Sequence, residues 1–172
     1  MTAALTGTPG VGKTSVSEIL RNKGYKVLDL NRFIMKKHLR GKKDIKRDTY
    51  EVNISELNKA IESKSQEYDI IEGHLSHHLG LSPIIILRCS PDELRRRVET
   101  KDWHQAKIEE NILAEILDVI LQESLEYDEK SVFEIDTTNK TTSEVGDSVH
   151  NILEGKTSLY SYGRIDWSEY LD

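Results

Sequence analysis

Gly7-Thr8-Pro9-Gly10-Val11-Gly12-Lys13-Thr14 follows directly on the short apolar run Ala3-Ala4-Leu5. The octapeptide fits G-x-x-x-x-G-K-[ST], the pattern of a loop that joins a strand to a helix and wraps phosphate oxygens in backbone N–H groups. Its glycines let the backbone approach a phosphate with no Cβ in the way, and the helix starting at Gly12 or Lys13 adds the positive end of its dipole. Gly10, Val11, Gly12, Lys13, Thr14 and Ser15 are therefore the expected contacts of a nucleoside triphosphate. Lys13 would bridge the terminal phosphates and Thr14 would hold Mg²⁺. A turn that only links strand to helix needs neither lysine nor hydroxyl at these two positions.

Outward from that loop, short apolar runs alternate with longer helical patterns, which predicts an α/β fold with a parallel sheet. Strands are expected over residues 2–6, 25–29, 69–72, 84–89 and 132–136. The run Pro83-Ile84-Ile85-Ile86-Leu87 is apolar on both faces, as a central strand must be. Ser90-Pro91-Asp92-Glu93 reads as a helix start, and Thr141 with Glu144 repeats the capping-box spacing. Ile108, Ile112, Ile116, Val119 and Ile120 share one helical face and predict a single long helix over 106–127. Residues 30–66 exceed a plain crossover and include the charged run 40–48, read as a helical excursion over the sheet. Residues 1–155 form the expected domain, and 156–172 an aromatic tail that either packs on it or binds a partner.

The length of 172 residues suits one domain that buries about 70% of the unfolded chain's surface. A net charge of −6 argues against broad adhesion to nucleic acid, so any RNA role would be indirect, through a partner or a restricted patch. Cys89 is the single cysteine, which excludes an internal disulfide and a thiolate zinc cluster and suits a reducing compartment. The start of the chain lacks a basic segment followed by an apolar run, and no stretch approaches the roughly 20 apolar residues of a membrane span. No membrane partner is expected, and the cytoplasm is the expected location, or the nucleus in a nucleated cell.

Asp69-Ile70-Ile71-Glu72 is an apolar strand ending in a carboxylate, where phosphate-loop proteins place the acid that orients Mg²⁺ or a water. Glu72 takes that role through a water, and Asp69 is structural. His74 lies just past the strand, at the carboxyl edge where open α/β sheets bind ligands, with Gly73 permitting close approach to a phosphate. His77 and His78 are expected to be exposed; their adjacency, with no cysteine or HExxH spacing, argues against zinc. The run Arg95-Arg96-Arg97-Val98-Glu99-Thr100-Lys101 closes one helix before a short connection to the next. Arg97, Lys101 and, across the turn, Lys107 are candidate cations for a transferring phosphoryl group. Asn139-Lys140-Thr141-Thr142 resembles the guanine-reading N-K-x-D but lacks its aspartate, so it is placed near an adenine.

Taken together, these segments resemble the adenylate kinase isoenzyme six type, a small P-loop kinase and ATPase linked to maturation of the small ribosomal subunit. The resemblance rests on residues 5–14, Val27-Leu28-Asp29-Leu30-Asn31-Arg32, Gly73-His74, Arg97-Val98-Glu99-Thr100 and Lys107-Ile108-Glu109-Glu110-Asn111-Ile112. It implies a nucleoside-monophosphate-kinase fold with strand order 2-3-1-4-5, a monophosphate-binding region over 29–51 and a short lid over 100–110. It also implies ATP and Mg²⁺ as cofactors, AMP or a related nucleotide as acceptor with Arg32 on its phosphate, and a small-subunit platform ribosomal protein as partner. Glu72 stands where that family often has Asp, Lys101 where a lid arginine is usual and Asp102 where glycine is usual. Lysine keeps the charge but loses the bidentate fork.

Overall fold

In the computed structural model, which describes residues 1–171 and only the backbone of Asp128, the chain begins with β1 (Ala3–Thr6), all four residues buried. There follow α1 (Lys13–Asn22), β2 (Val27–Asp29), α2 (Leu30–Lys36), β3 (Arg40–Asp44), β4 (Thr49–Val52) and α3 (Ile54–Ser65). Next come β5 (Ile70–Glu72), a single 3-10 turn (Ser76–Leu79), β6 (Ile84–Arg88), α4 (Pro91–Glu99) and α5 (Gln105–Ile116). The domain closes with α6 (Val119–Asp128), β7 (Val132–Asp136) and α7 (Thr142–Leu153).

Five strands form one parallel sheet in the order β2-β5-β1-β6-β7, which is the expected 2-3-1-4-5 once the β3-β4 hairpin is set aside. Alternate residues feed opposite faces, both covered, so the central strands β1 and β6 are apolar up to their last residue. Leu5, Ile85, Leu87 and Ile135 pack with Val16 and Leu20 of α1 and Val145 and Val149 of α7. Ala4, Ile84, Ile86 and Val132 pack with Leu121 of α6 on the other side. The register sets Glu72 opposite both Leu5 and Asp29, which brings the ends of β1, β2 and β5 together beside the glycine loop.

Two expectations give way. Residues 30–66 are not a helical excursion but helix, hairpin, helix: the charged run has no apolar face at helical spacing, and Asp44 instead accepts from the backbone N–H of Lys46 and Arg47 to close the hairpin turn. The long helix over 106–127 breaks at Asp118, whose φ is 54°. At that turn its carboxylate pairs with the buried Arg88. Ser90 is the N-cap of α4, yet its side chain makes no capping bond, and its N–H donates to Thr138 Oγ1 at 2.9 Å. Thr141 and Glu144 do form the full capping box.

The tail packs on the domain. Glu134 N–H donates to Tyr160 O at 2.9 Å, Gly163 N–H to Glu134 Oε2 at 2.8 Å and Trp167 Nε1 to Glu115 Oε1 at 3.3 Å. No helix among the described residues is long and apolar enough to cross a membrane.

Candidate active site

The loop between β1 and α1 takes the shape its glycines allow. Gly10 has φ 102°, and a Cβ there would overlap Val98 Cγ1 on α4, so the loop seats directly against that helix. Lys13, buried, donates to Gly7 O at 2.6 Å and Thr8 O at 3.1 Å. Burial lowers its pKa to about 8, against the opposing pull of Glu72 and Glu115. Thr14 and Ser15 are exposed on the first turn of α1.

A cleft of about 530 Å³ opens over this loop. Gly10 through Ser15 line it, together with Glu72, His74, Arg97, Lys101 and Lys140, as expected from the sequence. Glu72 is buried at the end of β5, and burial raises its pKa while the Lys13 ammonium works the other way. His74 sits near Lys13; burial first, and that cation second, hold its pKa at about 4, so its imidazole is neutral at physiological pH. Gly73 packs closely on α2: a Cβ at this position would stand 2.8 Å from Leu30 Cβ.

Arg97 lines the cleft with its guanidinium held by four hydrogen bonds. It donates to Glu93 Oε1 at 2.9 Å, Val11 O at 3.1 Å, Thr137 Oγ1 at 3.2 Å and Thr137 O at 3.1 Å. That fixes its plane and ties α4 to the glycine loop and to the segment after β7. Arg95 is committed elsewhere, in a two-pronged pair with Glu109 at 2.7 and 2.8 Å. Lys101 and Lys107 stand over the Trp103 ring, 5.1 and 4.5 Å from its centroid.

A second cleft of about 610 Å³ adjoins the first, sharing Pro9, Asn31, His74 and Trp103 as lining. Its remaining wall includes Arg40, Arg47 and Tyr50 of the hairpin and Lys107 and Asn111 of α5. The Arg40 guanidinium lies 4.6 Å over the Tyr50 ring, and Arg47 reaches Glu110 at 3.2 Å, linking the hairpin to α5. Arg32 is not brought here; it is exposed and lines a third cleft with Asp29, Lys36 and Lys37 that touches the first at Thr14. Asn139 is exposed and lines neither of the first two clefts.

Beneath the loop lies a buried polar cluster that no sequence pattern announces. Arg88 donates from Nε to Glu115 Oε1 at 2.7 Å and pairs also with Glu134 and Asp118. Glu115 accepts as well from Thr8 Oγ1 at 2.5 Å, in the glycine loop, and from Cys89 N–H at 3.2 Å. Trp103, Arg40 and Arg47 are likewise site residues that the sequence does not single out. The hairpin cations sit in the run that reads as helix, and no spacing marks an aromatic as a shared wall. His77 departs from its expected exposure: it is 1% exposed, its Nδ1 3.1 Å from Thr6 Oγ1.

A five-stranded parallel sheet flanked by helices, with a glycine-rich P-loop after its central strand, defines a P-loop nucleotide-kinase fold. The family of that fold follows from likeness to known proteins. A family model described as an AAA domain matches residues 4–118. A protein of Methanocaldococcus jannaschii named "Putative adenylate kinase" is 39% identical over 100% of this chain and 96% of its own length. One of the same name from Archaeoglobus fulgidus is 42% identical over 100% of this chain and 94% of its own. Shikimate kinase from Bacteroides thetaiotaomicron superposes with a TM-score of 0.55 over 90% of this chain and 98% of that one, at 13% identity, a likeness of fold. The chain belongs to the family of these archaeal proteins and to the AAA domain family.

Proposed function

We propose that this protein transfers a phosphoryl group from ATP to AMP and hydrolyses ATP slowly when no acceptor is bound. The observation that carries the reading is the pair of adjoining clefts. One is floored by the glycine loop and the other is walled by Arg40, Arg47 and Lys107, whose three cations outnumber Asp48 and Glu110 beside them, with His74 and Trp103 between the two clefts. Two anion-suited spaces with a common wall fit a reaction that brings two phosphates into line. The names of the archaeal relatives support the same choice of nucleotides.

In this reading backbone N–H groups of Gly10–Ser15 hold the triphosphate and Lys13 shifts from the loop carbonyls to its terminal phosphates. Thr14 and Glu72 offer the oxygen donors that hydrated Mg²⁺ takes, Thr14 directly and Glu72 through water. Mg²⁺ bound with ATP neutralises charge on the phosphates. Lys101 adds charge from the lid, Arg97 offers a fixed plane for the adenine, and Lys140 borders that end of the cleft. His74, neutral, hydrogen-bonds without adding charge. Arg40, Arg47 and Lys107 take the acceptor phosphate in place of Arg32. Service in small-subunit maturation, with a platform ribosomal protein as partner, rests on the family resemblance and is tested by whether that protein raises ATP hydrolysis.

Calorimetry with a bisubstrate dinucleotide, two adenosines joined by five phosphates, tests the two-cleft reading. One molecule should bind per chain, at least tenfold tighter than ATP. Affinity equal to that of ATP would mean that the second cleft takes no nucleotide.

A further inference from the structure

The loop after β5 holds a second cluster of functional side chains that phosphoryl transfer leaves unused. His77 and His78 are consecutive in the 3-10 turn Ser76–Leu79, and α6 presents Glu123 to both. His77 Nε2 lies 2.9 Å from Glu123 Oε2, and His78 Nε2 lies 3.6 Å from the same oxygen. One atom from each residue, three in all, falls within 4.8 Å of the others. The longer separation is outside hydrogen-bonding range, so a hydrogen bond accounts for His77 and leaves His78 Nε2 unexplained. Around a tetrahedral Zn²⁺, with bonds of about 2.0–2.1 Å, neighbouring ligand atoms stand ~3.3 Å apart, between the two separations seen here.

The opposite nitrogen of each ring is already held. His77 Nδ1 is 3.1 Å from Thr6 Oγ1, and His78 Nδ1 is 3.0 Å from the Tyr127 hydroxyl. Metal-binding imidazoles are commonly oriented in this way, the far nitrogen anchored to a fixed polar group so that the near one is aimed. The two rings lie with centroids 4.0 Å apart at a tilt of 39°, and both Nε2 atoms face Glu123 in spite of the residues' adjacency in sequence. His77 is 1% exposed, whereas His78 and Glu123 are 19% and 42% exposed, so the cluster is rooted in the core and open to solvent on one side.

We infer that His77, His78 and Glu123 form a Zn²⁺ site with its fourth position open to water, clamping the loop after β5 to α6. Two imidazoles and a carboxylate suit zinc, whereas Mg²⁺ takes oxygen donors and stays with the nucleotide. The sequence argument against zinc weighed only neighbours along the chain, whereas the third ligand here would come from α6, far along it. Its place gives it a consequence. Thr6, which touches His77, is the last residue of β1 before the glycine loop, and His74 of the same segment lines both clefts. Filling the site would stiffen one wall of the cleft without adding a group to it.

The test uses the full chain without an affinity tag, stripped with chelator and free of nucleotide. Titration with Co²⁺ should give the visible bands of a low-symmetry tetrahedral ion at one equivalent, and Zn²⁺ should displace it. Zn²⁺ should also raise the thermal midpoint, an effect that EDTA reverses and Mg²⁺ does not reproduce. His78→Ala and Glu123→Gln, both at partly exposed positions, should each weaken Zn²⁺ binding at least tenfold while retaining the parent's circular dichroism. Absence of micromolar binding overturns the inference. So does Zn²⁺ affinity that is unchanged in both variants, or Mg²⁺ binding as strong as that of Zn²⁺.

Discussion

Replacing Lys13 with methionine separates what this residue does for catalysis from what it does to the fold. The ammonium is buried against the glycine loop, and burial brings its pKa from 10.5 to about 8. The native state therefore sheds this proton between about pH 8 and 10.5, while the unfolded chain keeps it. Across that window the unfolded state binds more protons, so the parent's stability climbs as pH rises. The climb attributable to Lys13 totals about 3 kcal/mol, from 1.36 kcal/mol for each pH unit between the two values. Methionine fills the same space and carries no proton. The stability of the parent relative to Lys13→Met, from urea unfolding at pH 7, 8, 9 and 10, should thus be lowest near neutrality and rise towards pH 10. Tyrosines that also titrate above pH 9 are common to both proteins and cancel in the difference. Turnover should fall several hundred-fold in the variant, about 3–4 kcal/mol for removing a preorganised cation that stabilises the transition state. A difference curve that is flat, or that falls with pH, would refute the assignment of a buried, destabilised cation. A folded variant with near-parental turnover would refute its role on the phosphates.

Further outcomes follow from the geometry. Glu115→Ala removes the acceptor shared by Thr8, Arg88, Cys89 and Trp167; with Glu134 and Asp118 still on Arg88, the cost in urea unfolding should be about 3 kcal/mol, and a loss under 1 kcal/mol would contradict the account. Trp103→Ala, in the wall common to both clefts, should raise KM for ATP and for AMP by about tenfold each, roughly 1.4 kcal/mol apiece, whereas a change confined to one substrate would separate the clefts. ATP should be used at least as well as GTP, because Thr142 stands where a guanine-reading carboxylate belongs; a tenfold preference for GTP in competition would reverse that reading.

The glycine loop and the five strands were legible because each is written in local pattern, a phosphate motif and short apolar runs; the order of the strands came from the family resemblance. Glu72 and His74 followed from the topology, since residues just past the strand beside β1 must lie at its carboxyl edge. What escaped detection depends on distant partners. The hairpin of β3 and β4 has almost no apolar face, so hydrophobic period is silent there and the turn chemistry of Asp44 decides. The break at Asp118 is set by Arg88, 30 residues earlier. His77 and His78 looked like a solvated loop until α6 brought Glu123 against them. Arg32 was placed by resemblance alone, and the fold turns it to another cleft.

The central claim, that the two adjoining clefts carry out transfer between two nucleotides, meets its most direct test in the initial rate of ADP formation from MgATP with and without AMP. With AMP the rate should rise at least tenfold, two ADP should appear for each ATP consumed, and inorganic phosphate should stay near its level without acceptor. ADP formed one for one with inorganic phosphate, at a rate indifferent to AMP, would contradict the account and leave an ATPase.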